Sequence, residues 1–400
     1  MKIITAKTEI VRNTFLSVGV LFTLGRLLGA GMNDRFLNFS DAPLVPSPAI
    51  ITFDAPGAGT SPGQGTFAAA MDSGGTITGW YLDASDVLHG FRRASEGTIT
   101  TFDAPGAGTG PGQGTQPWSM AAERITGFYV DASNVNHGFL RMPDGTITTF
   151  DVPGAGTGPG QGTYAANINQ VGMIAGFYID ASDVLHGFLR ARNGTITVFD
   201  APGAGTGPGQ GCYAVFSDCL NREGAISAEY LDTNNVLHGY LRAADGTCTV
   251  FDAPGAGTGP GQGTGPSGIN DAGTIHGSYL TASNVFHGLL RAADGTMFTF
   301  DVPGAGTGPF EGTLPQFISA SAATTGQYVD DSDVNHGFLR TPDGTIITFD
   351  VPGAGTGPGQ GTVGTCNNSV DAITGFYIDA SNVLHGFLRP RPHPTPPPRP

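Results

Sequence analysis

The sequence predicts an all-β fold, a seven-bladed β-propeller of four-stranded antiparallel blades closed by pairing of its N- and C-terminal strands. Three observations predict it. The motif Phe-Asp-(Ala/Val)-Pro-Gly-Ala-Gly occurs seven times, with its aspartates at Asp54, Asp103, Asp151, Asp200, Asp252, Asp301 and Asp350. A His-Gly pair also occurs seven times in register with it, at His89, His137, His186, His238, His287, His336 and His385. Both series advance by close to 49 residues, and one unit is longer by three residues near Ser217 to Glu223. A fixed period of that length marks a repeat array, in which one unit cannot bury its apolar face alone.

The chain opens with Lys2, Lys7 and Arg12, followed by an apolar run from Phe15 to Leu24 and small residues at Gly29, Ala30 and Gly31. That order reads as a secretory signal, too short to span a membrane. Residues 1–31 are therefore expected to be a signal-like leader and 32–49 a linker, with an extracellular or periplasmic destination. No later segment is apolar enough to cross a bilayer. The array fills residues 50–389. Residues 390–400 are rich in Pro and Arg and should form an extended tail without a core.

The third unit shows what each repeat builds. Tyr164 to Asn169 reads as strand A, Met173 to Ile179 as strand B, Val184 to Arg190 as strand C and Thr195 to Phe199 as strand D. Alternation and β-branched content support all four, and no stretch carries a helical period. Four short strands per unit, repeated around a ring, is the propeller pattern. The C–D turns read Pro143-Asp144-Gly145, Arg192-Asn193-Gly194 and similar. They suit a three-residue hairpin loop with glycine in the left-handed position. Such a loop sets each histidine opposite an aspartate: His89 with Asp103, His137 with Asp151, His186 with Asp200, His238 with Asp252, His287 with Asp301, and His336 with Asp350. His385 and Asp54 are left over at the two ends. Closing the ring pairs them and hides the edges that an open array would expose.

These residues resemble the HAF-repeat family of probable extracellular proteins. Several copies read His-Gly-Phe-Leu-Arg, as at His137 to Arg141, with Gly where the family has Ala. Gly268-Ile269-Asn270-Asp271-Ala272-Gly273 is similar to the family's Gly-Ile-Asn-Asp-x-Gly. The resemblance covers about residues 50 to 389. It implies secretion and a propeller-like fold, and no defined activity.

Composition narrows the function. The chain holds 64 Gly and 29 Pro, carries a net charge of −15, and has lysine at Lys2 and Lys7 alone. Nucleic-acid binding needs a basic footprint, which is missing. The four cysteines, Cys212, Cys219, Cys248 and Cys366, do not follow the repeat and read as buried apolar residues. The His-Asp pairs could suggest a general base, but catalysis needs one unique constellation and this one recurs in every unit, so they read as structure. The Gly-rich crossovers lack the lysine and helix of a phosphate site.

The B–C loops begin with Asp83, Asp131, Asp180, Asp232, Asp330 and Asp379, with Thr281 in the fifth unit. They are the candidates for a ligand face. Their oxygens suit Ca²⁺, yet the spacing of a calcium loop is absent, and turn formation is the simpler reading. No cofactor and no catalytic or metal-ligating residue is assigned. Residues that break the symmetry are Cys212, Cys219, Glu229, His276 and the pair Phe310-Glu311. The sequence thus points to a secreted, non-catalytic binding or interaction propeller for a carbohydrate, a cation or a protein. The alternatives are a glycan-active hydrolase or lyase on the same scaffold and a structural envelope protein.

Overall fold

The structure is a computed structural model that describes residues 49–213 and 218–391. The signal-like leader, all but the last residue of the linker, and the tail beyond Arg391 lie outside the described residues. The described residues form 28 strands, β1 to β28 in chain order, and no helix.

In the third repeat, strand A is β10 (Gly162–Ile168), strand B is β11 (Ile174–Ile179), strand C is β12 (Leu185–Arg190) and strand D is β13 (Ile196–Phe199). Successive strands pair antiparallel, in the expected order. The C–D turn closes with Gly194, at φ +91°, donating from its N–H to the Ala191 carbonyl.

The repeats are not separate blades joined only by loops. Each A strand starts two residues earlier than its apolar pattern, at a glycine that makes one parallel bridge to strand C of the preceding repeat. Gly162, for example, bridges Asn136. Gly162 has φ +112°, and a Cβ there would collide with the Asn136 carbonyl oxygen, so only glycine allows the approach. Strands A, B and C of all the repeats therefore run as one circuit, with the D strands outside it on strand C.

The ring is closed. Strand β1 (Ile51–Phe53) pairs antiparallel with β28 (Leu384–Arg389), Phe53 facing Gly386. The ends of the array thus share one sheet.

The core lies between repeats. The fourth C-strand residue is fully buried in each, as in Phe91, Phe139, Phe188 and Phe338. Against it packs the phenylalanine of the preceding D strand: Phe53 lies 6.1 Å edge-on to Phe91, and Phe150 lies 6.2 Å edge-on to Phe188. An arginine completes each seam, Arg93 being 4.9 Å above the Phe53 ring and Arg190 4.9 Å above Phe150. Such edge contacts and cation–π pairs each add about 0.5–1 kcal/mol to area burial. The glycine after each histidine makes room for this. A Cβ on Gly90 would sit 2.8 Å from the Phe102 ring of its own D strand and 2.9 Å from Pro117 of the next repeat. The glycine lets the D-strand ring lean across toward its neighbour.

Candidate functional site

Two constructions could meet a ligand, at opposite ends of the strands. The first is the rim where B–C turns and D–A crossovers meet. Each B–C turn ends on Asp or Asn in the left-handed region, such as Asp86 at φ 60° and Asn134 at φ 61°. Asx residues adopt that conformation more readily than most others. The first aspartate of each turn holds it together. Asp83 Oδ1 accepts from the N–H groups of Ser85 (2.8 Å) and Val87 (2.9 Å). Asp131, Asp180, Asp232, Asp330 and Asp379 do the same in their turns. Burial raises the carboxyl of Asp83, but those two N–H donors together with His89 outweigh it and hold the group below the ordinary range.

The histidines stand beside these turns. His89 Nδ1 lies 3.0 Å from Asp103, His137 2.9 Å from Asp151, His186 2.9 Å from Asp200 and His238 3.0 Å from Asp252. His287 lies 2.8 Å from Asp301, His336 2.9 Å from Asp350, and His385 3.0 Å from Asp54 across the ring closure. The other ring nitrogen faces the turn aspartate, from 3.3 Å for His336 and Asp330 to 3.8 Å for His238 and Asp232. A tyrosine covers each imidazole, as Tyr81 does His89 at 5.1 Å. The hydrogen bond that His336 donates to Asp350 is the chief cause raising the histidine's pKa, against desolvation. The structure thus joins each of the six candidate loop aspartates to the His-Asp pair of its own repeat, six clamps in all. The fifth repeat lacks the loop carboxylate because Thr281 stands there.

The second construction is an axial cavity of about 220 Å³ at the other end, where A strands pass into A–B turns. Its wall is rich in amides and hydroxyls. Asn270 Oδ1 accepts from the N–H groups of Ala272 (3.1 Å) and Thr274 (3.0 Å), while its amide donates to the Ser319 carbonyl of the next repeat at 3.3 Å. The Gly-Ile-Asn-Asp-x-Gly segment is therefore an Asx-closed turn tied to its neighbour. Asn169 repeats the arrangement, donating to the Asn221 carbonyl at 2.9 Å.

One member of the wall breaks the symmetry. Asp218, in the lengthened fourth repeat, accepts through Oδ2 from His276 Nε2 (2.9 Å) and from the Ile318 N–H (2.9 Å). It thereby ties three repeats together. His276 is fully buried and occupies a position where four repeats carry threonines that donate to strand C, such as Thr78 to the Phe91 carbonyl at 2.8 Å. Gly268 faces His276 across the strand pair, and a Cβ there would strike the Asp218 carboxylate. Three deviations thus serve one contact. Asp218 Oδ1 and Asn367 Oδ1 are buried in the cavity wall without a hydrogen-bond partner. Sequence reading marked His276 and the longer unit but missed Asp218, because its partners lie one and two repeats away.

All four cysteines are free thiols. Cys212 replaces the threonine that elsewhere accepts from the N–H after the Phe-Asp pair, and its sulfur takes that N–H from Ala201 at 2.9 Å. Burial pushes its thiol up to about 12, which leaves it unreactive as a nucleophile.

No family model matches the chain, and no curated protein is similar to it in sequence. Solved structures are similar in shape. The BP39L lectin of Burkholderia pseudomallei aligns with a TM-score of 0.52 at 11% identity, over 80% of this chain and 93% of the lectin. A puromycin hydrolase aligns with a TM-score of 0.45 at 11% identity, over 82% of this chain and 50% of the hydrolase. The Aleuria aurantia lectin, described as a six-bladed β-propeller with a novel mode of fucose recognition, aligns with a TM-score of 0.35 at 11% identity, over 86% of this chain and 99% of the lectin. The Burkholderia lectin bears on the fold alone, and with the closed strand circuit it makes this chain an all-β, propeller-like ring.

Proposed function

We propose that the chain is a seven-bladed β-propeller of the HAF-repeat kind, exported from the cell, which binds a small carbohydrate in its axial cavity without catalysing a reaction. The observation that carries this reading is the cavity wall: amide, hydroxyl and carboxylate groups surround a space of about 220 Å³, and two buried acceptors, Asp218 Oδ1 and Asn367 Oδ1, have no partner. Sugar hydroxyls are the donors that such acceptors need. The remaining carboxylates of the wall are already engaged: Asp72 accepts from Gly74 and Thr76 within its own turn, and Asp271 from the Arg222 N–H of the preceding repeat at 2.7 Å. At the other rim each loop aspartate already serves its own turn and histidine, so the axial cavity is the better site.

Glycan-array screening of the full chain followed by calorimetry tests the reading. Substitution Ser369→Trp places a large ring on an exposed position of the cavity wall and should abolish sugar binding without unfolding the ring. Asn367→Ala should weaken it about tenfold, as expected for one lost hydrogen bond of about 1.4 kcal/mol. Binding that survives both changes, or that is lost on substituting Asp83 and Asp131 instead, would move the site to the opposite rim.

A further inference from the structure

Where neighbouring repeats face each other, the fourth B-strand residue of one meets the third A-strand residue of the next. At three of the seven junctions both are aromatic. Phe376 stacks on Phe67 at 4.4 Å, Phe128 meets Tyr164 edge-on at 4.8 Å, and Phe177 meets Tyr213 at 6.1 Å. The junction of the fourth and fifth repeats departs from this. The two residues there are Glu229 and Gly265, and a Cβ on Gly265 would lie 2.5 Å from Glu229 Oε2. The carboxylate reaches into the place of the missing side chain. The polar sector continues: Ser278 stands opposite Gly265 in the strand pair, and Gln327 holds the equivalent position in the sixth repeat.

Glu229 is only 8% exposed, and no donor among the described residues reaches its carboxylate. Gln327 Oε1 is buried without a partner as well. Burial alone pushes the Glu229 carboxyl up to about 7. A buried carboxylate without a counter-charge is unfavourable, and a cation that brings its own N–H donors is what completes it. Tyr213 pairs with Glu229 across its strand pair and sets an aromatic ring on the same face, a second attraction for an organic cation. Ca²⁺ takes six to eight oxygens, more than one carboxylate provides. Gly265 is half-buried where its neighbours Thr264 and Pro266 are sealed.

We propose that the junction of the fourth and fifth repeats is a binding site for a small organic ammonium ion, with the Glu229 carboxylate as counter-ion and the gap at Gly265 as its entry. None of Glu229, Gly265, Ser278 and Gln327 lines the axial cavity, so this site stands independently of the carbohydrate reading.

Calorimetry with ethylammonium chloride on the full chain tests it, near pH 6 and near pH 8.5, in buffers of different ionisation enthalpy, with ethanol and sodium chloride as controls. One saturable site is expected for the amine alone. Close to one proton should be released per ligand near pH 6 and almost none near pH 8.5, because the amine takes the ionised form of Glu229. Glu229→Gln should weaken binding at least tenfold, and Gly265→Ala should weaken it too, each with an unchanged near-ultraviolet dichroism spectrum. Ser369→Trp should leave amine binding intact, which separates this site from the axial one. Absence of saturable binding to the native chain, equal affinity in Glu229→Gln, the same heat from sodium chloride, or no proton release near pH 6 would overturn the proposal.

Discussion

Ring closure can be tested by treating the same side chain at two places, once inside the array and once at its seam. Phe53 and Phe150 are equivalent: each projects from a D strand, lies 6.1 or 6.2 Å edge-on to a fully buried phenylalanine of the next repeat, and carries an arginine 4.9 Å above its ring. Both are partly exposed. Full burial of a phenylalanine makes truncation to alanine cost about 3–5 kcal/mol. Partial exposure reduces the packing loss to roughly 2 kcal/mol, and the lost cation–π contact adds about 0.5–1 kcal/mol. Phe150→Ala should therefore destabilise by about 2–3 kcal/mol. If β1 closes the ring on β28, Phe53→Ala should cost the same, although Phe53 and Phe91 are joined to β28 only through the seam. Urea unfolding followed by the fluorescence of Trp80 and Trp118 measures both, provided the transition is a single cooperative one. Hydrogen exchange adds a local readout: amides of Leu384–Arg389 should exchange faster in Phe53→Ala and stay protected in Phe150→Ala. A Phe53→Ala variant within about 0.5 kcal/mol of the native chain, alongside a damaged Phe150→Ala, would refute closure.

Three further outcomes follow from single residues. Burial raises the Glu229 carboxyl from its ordinary 4.5 to about 7, so the folded state holds a proton that the unfolded state has lost between those values. Stability should fall as pH rises through that window by roughly 3 kcal/mol in total and then level off; Glu229→Gln should remove that portion of the pH profile, and an unchanged profile would show that the carboxylate is solvated. Gly162→Ala should destabilise by about 2 kcal/mol or more, since alanine at φ +112° is strained and its Cβ meets the Asn136 carbonyl; a neutral result by urea unfolding would mean the parallel bridge is dispensable. Phe310 sits at φ 70° where other crossovers have glycine, and is 43% exposed. Phe310→Gly should raise stability by about 1 kcal/mol, seen as a higher urea midpoint at constant slope, and a lower midpoint would show that its ring is needed.

Features repeated in every unit were legible because the repeat displays them many times over. The Phe-Asp and His-Gly motifs yielded the strand order, the C–D turn and the pairing of His385 with Asp54, all from local spacing. Strand ends were less legible. In the third repeat strand A begins at Gly162 and not Tyr164, because the bridge to Asn136 uses backbone, which leaves no apolar signature. The second contact of each histidine, to aspartates such as Asp83 and Asp131, was hidden because it depends on how far a turn folds back over strand C. Least visible were the contacts made once. His276 stood out as an oddity, yet its meaning rests on Asp218 and Gly268, and no periodicity joins those three positions.

That division has a physical basis. A group present in every repeat is held by the same neighbours each time, and its chemistry is spent on the ring: the histidine clamp fastens strand C to strand D and to the B–C turn. A unique ligand requires a place where the repeats differ. In this chain a group of differences gathers in the fourth and fifth repeats: Asp218 in the lengthened unit, Glu229 and Gly265 at the junction, and Gly268 facing His276. They leave buried polar atoms unpaired, at Asp218 Oδ1 and His276 Nδ1. An aromatic pair at Glu229 and Gly265, as found at Phe128 and Tyr164, would pack the same junction with no carboxyl to desolvate. Stability alone favours the aromatic pair by the desolvation of one carboxylate and the area of one ring. The polar junction is therefore a local sacrifice of packing, the form in which binding chemistry enters a repetitive scaffold.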